Sequence, residues 1–161
     1  MQEQETINYG DFADLSRLSD SGRLIAIDLG TKRIGIAVSD ETRKVSRPLP
    51  VIERSSWKKL LSQIQAILQE FDAKALIIGL PLESNGNESE MSMYAREIAR
   101  KFSLSLNIPV FLQDERVTSY EAKSRLWQSG KNDVDVRAVV DSEAATIILS
   151  DFIDRSTSRI P

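Results

Sequence analysis

One acid, Asp28, interrupts the apolar run of "LIAIDLGTKRIGIAVSD", Leu24 to Asp40, where a buried strand is expected. A carboxylate in a core costs several kcal/mol unless it is paired or bound to a metal. Strands disfavour Asp, and "IAIDLG" offers no local cation. Two further acids stand at the ends of elements. Glu115, beside Asp114, directly follows "IPVFLQ", and Asp141 opens the helical stretch "DSEAATIILSDFI". Acids in such places meet readily outside the carboxyl edge of an α/β sheet. A set with oxygen donors alone suits Mg2+ or Mn2+. Each acid also has a plainer role. Asp141 could serve as a helix N-cap or a first-turn acid, and Asp114 and Glu115 could pair with Arg116 on the surface.

What the chain lacks narrows the chemistry. Its 161 residues include no cysteine and no histidine. Disulfides, thiolate metal sites and imidazole general bases are therefore excluded. Proton handling falls to carboxylates, Lys, Tyr, Ser/Thr or metal-bound water. The net charge of −3 counts mildly against a nucleic-acid partner, although a local patch can differ in sign from the whole. Hydrophobic residues at 41% and charged residues at 28% fit a soluble globular chain. No apolar run reaches the roughly 18 residues of a membrane helix, and "MQEQETINYGDF" lacks a signal-peptide core. A cytoplasmic protein with no membrane partner is expected.

The elements that must position these acids follow from periodicity. "LIAID" and "IGIAVS" read as strands of a hairpin with Gly30 at its turn. "RPLPVIE" is extended, and its two prolines confine it to an edge. Trp57, Leu60, Leu61, Ile64, Ile67, Leu68 and Phe71 recur at helical spacing behind a Ser55 or Ser56 cap. "ALIIGLP" reads as a strand covered on both faces, and "LESNGNES" as a polar loop. A second helix carries Met91, Ala95, Ile98, Ala99, Phe102 and Leu106 on one face. A third is predicted from the Thr118–Glu121 capping box to Gly130. "KNDVDVR" reads as a charged loop before the last helix. The order predicts an α/β sheet of mixed strand directions. Residues 1–22 read as a flexible extension whose Phe12, Leu15 and Leu18 are spaced to dock one turn. Residues 23–155 read as the domain, and 156–161 as a tail.

"GRLIAIDLGTKRIGIAVSD", "IIGLPLESNGNES", "DERVTSYEA" and "DSEAATIIL" together resemble the four signature blocks of the YqgF family, also called RuvX-like or pre-16S rRNA nucleases. The likeness runs from about Gly22 to Ile153. It implies an RNase H-like fold, a mixed five-stranded sheet flanked by helices, and a kinship with Holliday junction resolvases. It also implies trimming of the 5′ end of precursor small-subunit ribosomal RNA. By this likeness Asp28, Glu115 and Asp141 are the catalytic acids and the ligands of two Mg2+ or Mn2+ ions, about 4 Å apart in two-metal sites. Thr31, Lys32, Arg33 and Arg116 are the expected substrate contacts, chosen for their nearness to the acids. The partner is then nucleic acid, RNA ahead of a DNA junction, and the protein a monomer or homodimer. The chain departs from the family pattern at Val117 and Ser119, and at Asp133 and Asp135, where relatives are often basic.

Two readings from other classes compete. "DLGT" also matches the phosphate hairpin of actin-like nucleotide-binding domains, but those need two lobes and a longer chain. A non-catalytic RNA-binding assembly factor would keep the fold without the activity.

Overall fold

A computed structural model describes residues 15–115 and 133–158, with side chains in the last helix described from 142 to 157. Strands β1 (Leu24–Leu29), β2 (Arg33–Ser39) and β3 (Ser46–Glu53) come first. They are followed by α1 (Trp57–Glu70), β4 (Ala75–Leu80), α2 (Glu90–Ser105), β5 (Val110–Asp114) and α3 (Asp133–Ser158). The five strands form one sheet in the order β3-β2-β1-β4-β5. β2 is antiparallel to both β1 and β3, whereas β1, β4 and β5 run parallel. The carboxyl ends of β1, β4 and β5 therefore share one edge. The Gly30–Lys32 turn lies on that edge, and so does the end of β3, where Glu53 faces Arg33.

Local chemistry explains the elements. The Gly30 N–H donates to Arg33 O at 2.9 Å, and a Cβ on Gly30 would strike that same carbonyl, so the turn needs glycine. Ser56 caps α1 by accepting from the Lys59 N–H at 3.2 Å. Ser89 and Ser92 form a reciprocal capping box at the start of α2. β3 lies at the sheet edge and accommodates Pro48 and Pro50 there, with a register shift opposite Ile34–Ile36.

Side chains alternate between the two faces of the sheet. Ile25, Ile27, Leu29, Ile34, Ile36, Val38, Leu76, Ile78, Leu80, Val110 and Leu112 pack with Leu60 and Ile64 of α1 and Ile98 and Phe102 of α2. Leu24, Ala26, Ala37, Ala75, Ile77 and Phe111 pack under Ala145, Ile148, Leu149 and Phe152 of α3. Small residues on this second face let α3 lie close. A Cβ on Gly79 would overlap Ile148 Cδ1. Leu15 and Leu18 pack against the same cluster, and Leu15–Arg17 forms one 3-10 turn. Arg43 holds the adjoining segment through Gly22 O (2.8 Å), Ser19 O (2.7 Å) and Ser21 O (2.9 Å).

One expectation is corrected. Residues 133–137 are the start of α3 rather than a charged loop, so Asp141 lies more than two turns inside that helix. The N-cap and first-turn roles for Asp141 fall with that correction. The alternation of Asp and Val in "DVDVR" hides the helix, yet neither Gly nor Pro interrupts the chain from Lys131 to Arg159. Phe12, the predicted helix from Thr118 to Gly130, Trp127 and residues 131–132 lie outside the described residues.

Candidate nuclease site

Strand parity decides where the acids point. In β1, Ile25, Ile27 and Leu29 belong to the α1/α2 side and Leu24 and Ala26 to the α3 side. Asp28 continues the second series, so its carboxylate is on the α3 face, one residue from the end of β1. In β5, Phe111 faces α3, and Gln113 does too, since its Oε1 accepts from Arg155 Nε of that helix at 2.9 Å. The Glu115 N–H donates to Leu80 O at 3.1 Å. This bond extends the β4–β5 ladder past Asp114 and keeps Glu115 in phase with Phe111 and Gln113. Asp28 and Glu115 thus share one face and one edge of the sheet.

Asp28 is half-buried, and Glu115 is only 8% exposed. A carboxylate withdrawn from water needs hydrogen-bond, ion-pair or metal partners. The backbone of Asp141 lies one turn before Ala145, which is buried against the sheet. Close by, the Ser142 hydroxyl donates to Leu49 O of β3 at 2.8 Å, tying this part of α3 to the bulged edge strand. The Asp141 side chain lies outside the described residues, and so does Arg116. Among the described side chains, no group of three His, Cys, Asp or Glu residues assembles into a metal-holding cluster. The two acids that are described still fit a hard divalent ion by donor type, face and edge.

Three of the four expected substrate contacts, Thr31, Lys32 and Arg33, lie at this edge. Thr31 and Lys32 are exposed at the β1–β2 turn, and Arg33 is half-buried at the start of β2. Several other basic groups lie elsewhere or are engaged. Arg43 is in the β2–β3 turn at the opposite end of the sheet. On α2, Arg96 pairs with Glu88 at 2.9 Å, and the neighbouring Arg100 pairs with Glu97. Lys101 sits 5.6 Å from the Trp57 ring, which packs edge-on to Phe102. Trp57 is half-buried and packs against the α1/α2 core.

Sequence reasoning did not single out Arg54, yet it stands beside the same turn. Its N–H donates to Lys32 O at 2.9 Å, and its guanidinium lies 3.9 Å from the Tyr94 ring centroid. A lone Arg between a strand and a helix cap carries no signal, because Tyr94 is 40 residues downstream.

Comparisons with known proteins identify the family and the fold. A sequence model of the RuvX family, described as Holliday junction resolvase, matches residues 22–155. A protein of an Anaeromyxobacter species named "Putative pre-16S rRNA nuclease" is 37% identical over 132 residues, which is 82% of this chain and 96% of that protein. A Roseiflexus protein of the same name is 34% identical over 136 residues, covering 84% of this chain and 96% of its own. The structure of Thermus thermophilus RuvC in complex with a Holliday junction substrate superposes with a TM-score of 0.50 at 15% identity, over 83% of this chain and 95% of that one. This likeness establishes the RNase H-like fold. The match over residues 22–155 and the identity to these relatives place the chain in the RuvX (YqgF) family of nucleases, enzymes that hydrolyse phosphodiester bonds.

Proposed function

We propose that the protein is a divalent-metal-dependent nuclease that processes the 5′ end of precursor 16S rRNA in the cytoplasm. The observation that supports this reading most strongly is the shared face and edge of Asp28 and Glu115 beneath the helix that carries Asp141. The relatives named for pre-16S rRNA supply the substrate.

In this reading Asp28, Glu115 and Asp141 would hold Mg2+ or Mn2+. A bound divalent ion lowers the pKa of the attacking water and offsets charge on the leaving 3′ oxygen. The absence of histidine is then no obstacle. Lys32 and Arg33 at the hairpin turn, with Arg116 beside Glu115, neutralise backbone phosphates and fix the register of the scissile bond. Thr31 offers its hydroxyl at the same turn. Asp28 and Glu115 occupy rigid strand ends, so the reacting groups are held without loop ordering.

The family description favours a second reading, resolution of four-way DNA junctions, which calls for a homodimer with two sites. End-labelled pre-rRNA leader and a four-way junction, each incubated with Mn2+ or EDTA beside Asp28→Asn, separate the two. Metal-dependent cleavage of the leader, lost in Asp28→Asn, is expected. Cleavage of the junction alone would replace RNA processing with junction resolution. Binding without cleavage, indifferent to metal and to the substitution, would overturn the metal-dependent catalytic assignment for this chain.

A further inference from the structure

Arg54 differs from Arg43, Arg96 and Arg100 in how its donors are used. Arg43 is bonded by the carbonyls of Ser19, Ser21 and Gly22, and Arg96 and Arg100 each hold a carboxylate. Arg54 has no carboxylate within ion-pair distance among the described residues. Its side-chain contact to protein oxygen, Nη1 to Thr31 O, is long at 3.5 Å. A guanidinium has five N–H donors, so among the described residues this one contact leaves most of them without a protein acceptor.

The guanidinium carbon lies over the ring of Tyr94 of α2, 3.9 Å from its centroid. Stacking on an aromatic ring fixes the guanidinium plane and leaves its edge donors directed outward, the form in which Arg recognises phosphate. The location is suited to that task. Arg54 follows β3, two strand spacings and so roughly 10 Å across the sheet from β1. Its N–H holds Lys32 O, which ties it to the turn bearing the other expected phosphate contacts. Tyr94 packs against the core on the α1/α2 side, opposite the acids.

We infer that Arg54, seated over Tyr94, binds a backbone phosphate, so that the nucleic-acid strand crosses the Gly30–Lys32 turn from the α3 face towards the α1/α2 side. The inference rests on the nuclease reading and extends its substrate track beyond the acid edge. Arg54 is a substrate-binding residue here, and Tyr94 is a positioning residue acting through it.

The test compares wild type, Arg54→Ala, Arg54→Lys and Tyr94→Leu on the pre-rRNA leader and on the four-way junction. It reads kcat, KM and the salt dependence of binding. Arg54→Ala is expected to raise KM about 10-fold with kcat nearly unchanged, and to reduce the slope of log K against log[salt] by about one. Arg54→Lys should restore the slope with only part of the affinity, because the charge returns without the planar fork. Tyr94→Leu should raise KM while keeping the slope. An Arg54→Ala protein that melts lower but keeps its KM and slope would mark Arg54 as a staple between α2 and the hairpin, overturning the inference. A fall in kcat alone would overturn it too. If those nulls occur while Asp28→Asn still abolishes cleavage, only the inference fails. A wild type that neither binds nor cleaves either probe removes the nuclease reading and the inference together.

Discussion

The two faces of the sheet are built from alternate residues of the same strands, and they differ in kind. On the α1/α2 face β1 places Ile25, Ile27 and Leu29, and β4 places Leu76, Ile78 and Leu80, all at most 5% exposed. On the α3 face the same strands place Leu24, Ala26 and Asp28, and Ala75, Ile77 and Gly79. Along β1 and β4 the first face is large, branched and apolar, and β5 adds Asp114 at its carboxyl end, in phase with Val110 and Leu112. The second is small in the middle, so that a helix lies close, and turns polar at the carboxyl edge with Asp28, Gln113 and Glu115. Both faces bury apolar side chains, and the α3 face in addition carries Asp28 and Glu115 at its edge. Substitutions on the two faces should therefore separate activity from stability.

The largest effect expected is on activity alone. Asp28→Asn should lower cleavage by about 1,000-fold or more, because losing one charge from a shared ligand set removes stabilisation of the transition state. Without metal its denaturant midpoint should equal or exceed the wild-type value, since clustered acids repel one another. A large loss of stability in EDTA would mean that Asp28 is structural.

Next comes the opposite pattern. Ile27 is adjacent to Asp28 in sequence but faces α1 and α2, fully buried. Ile27→Ala should cost about 2–5 kcal/mol in urea unfolding while leaving kcat of the folded fraction close to wild type. Activity lost in proportion to Asp28→Asn would dissolve the distinction between the faces.

Gly79 couples the two properties. A Cβ there overlaps Ile148 Cδ1, so Gly79→Val should lift α3 at a cost of about 1–3 kcal/mol and lower activity with it. Ile148→Ala in the same chain should recover part of both, which a double-mutant cycle would read as coupling. Additive losses would show that α3 does not rest on Gly79.

The smallest effect lies at the far end of the sheet. Asp40 accepts from the Thr42 hydroxyl, from Lys44 N–H at 2.9 Å and from Val45 N–H at 2.8 Å. With Thr42 the largest cause, these bonds lower its carboxyl from 3.8 to about 2. A depressed carboxyl stabilises the fold above its unfolded pKa, and that contribution fades as the pH falls from about 4 to about 2. Asp40→Asn should remove this part of the acid dependence of unfolding and leave cleavage at neutral pH untouched. An unchanged acid limb would contradict the assignment.

Much of this division was legible in the chain. The runs of Ile, Leu and Val in β1, β2 and β4, the Gly30 turn, the prolines of edge strand β3 and the helical spacing from Trp57 to Phe71 all announce their elements. Asp28 stood out because a strand gives an acid no local excuse. Other features depend on contacts distant in sequence. The start of α3 was hidden because "DVDVR" alternates like a loop or strand, and packing along one side of β1, β2 and β3 is not a local property. The bond from Ser142 to Leu49 O spans 93 residues, and the Arg54–Tyr94 contact joins a strand end to a helix face. Neither leaves a mark in a window of neighbouring residues.

Direct metal binding by the acid edge is the central claim, and calorimetric titration of Mn2+ into the apo protein tests it without any nucleic acid. Wild type should bind and gain thermal stability as the free Mn2+ rises. Asp28→Asn and Glu115→Gln should each lose most of that heat and most of that shift. Equal heats and equal shifts in all three proteins would contradict the account, placing the metal, if it binds at all, away from the α3 face.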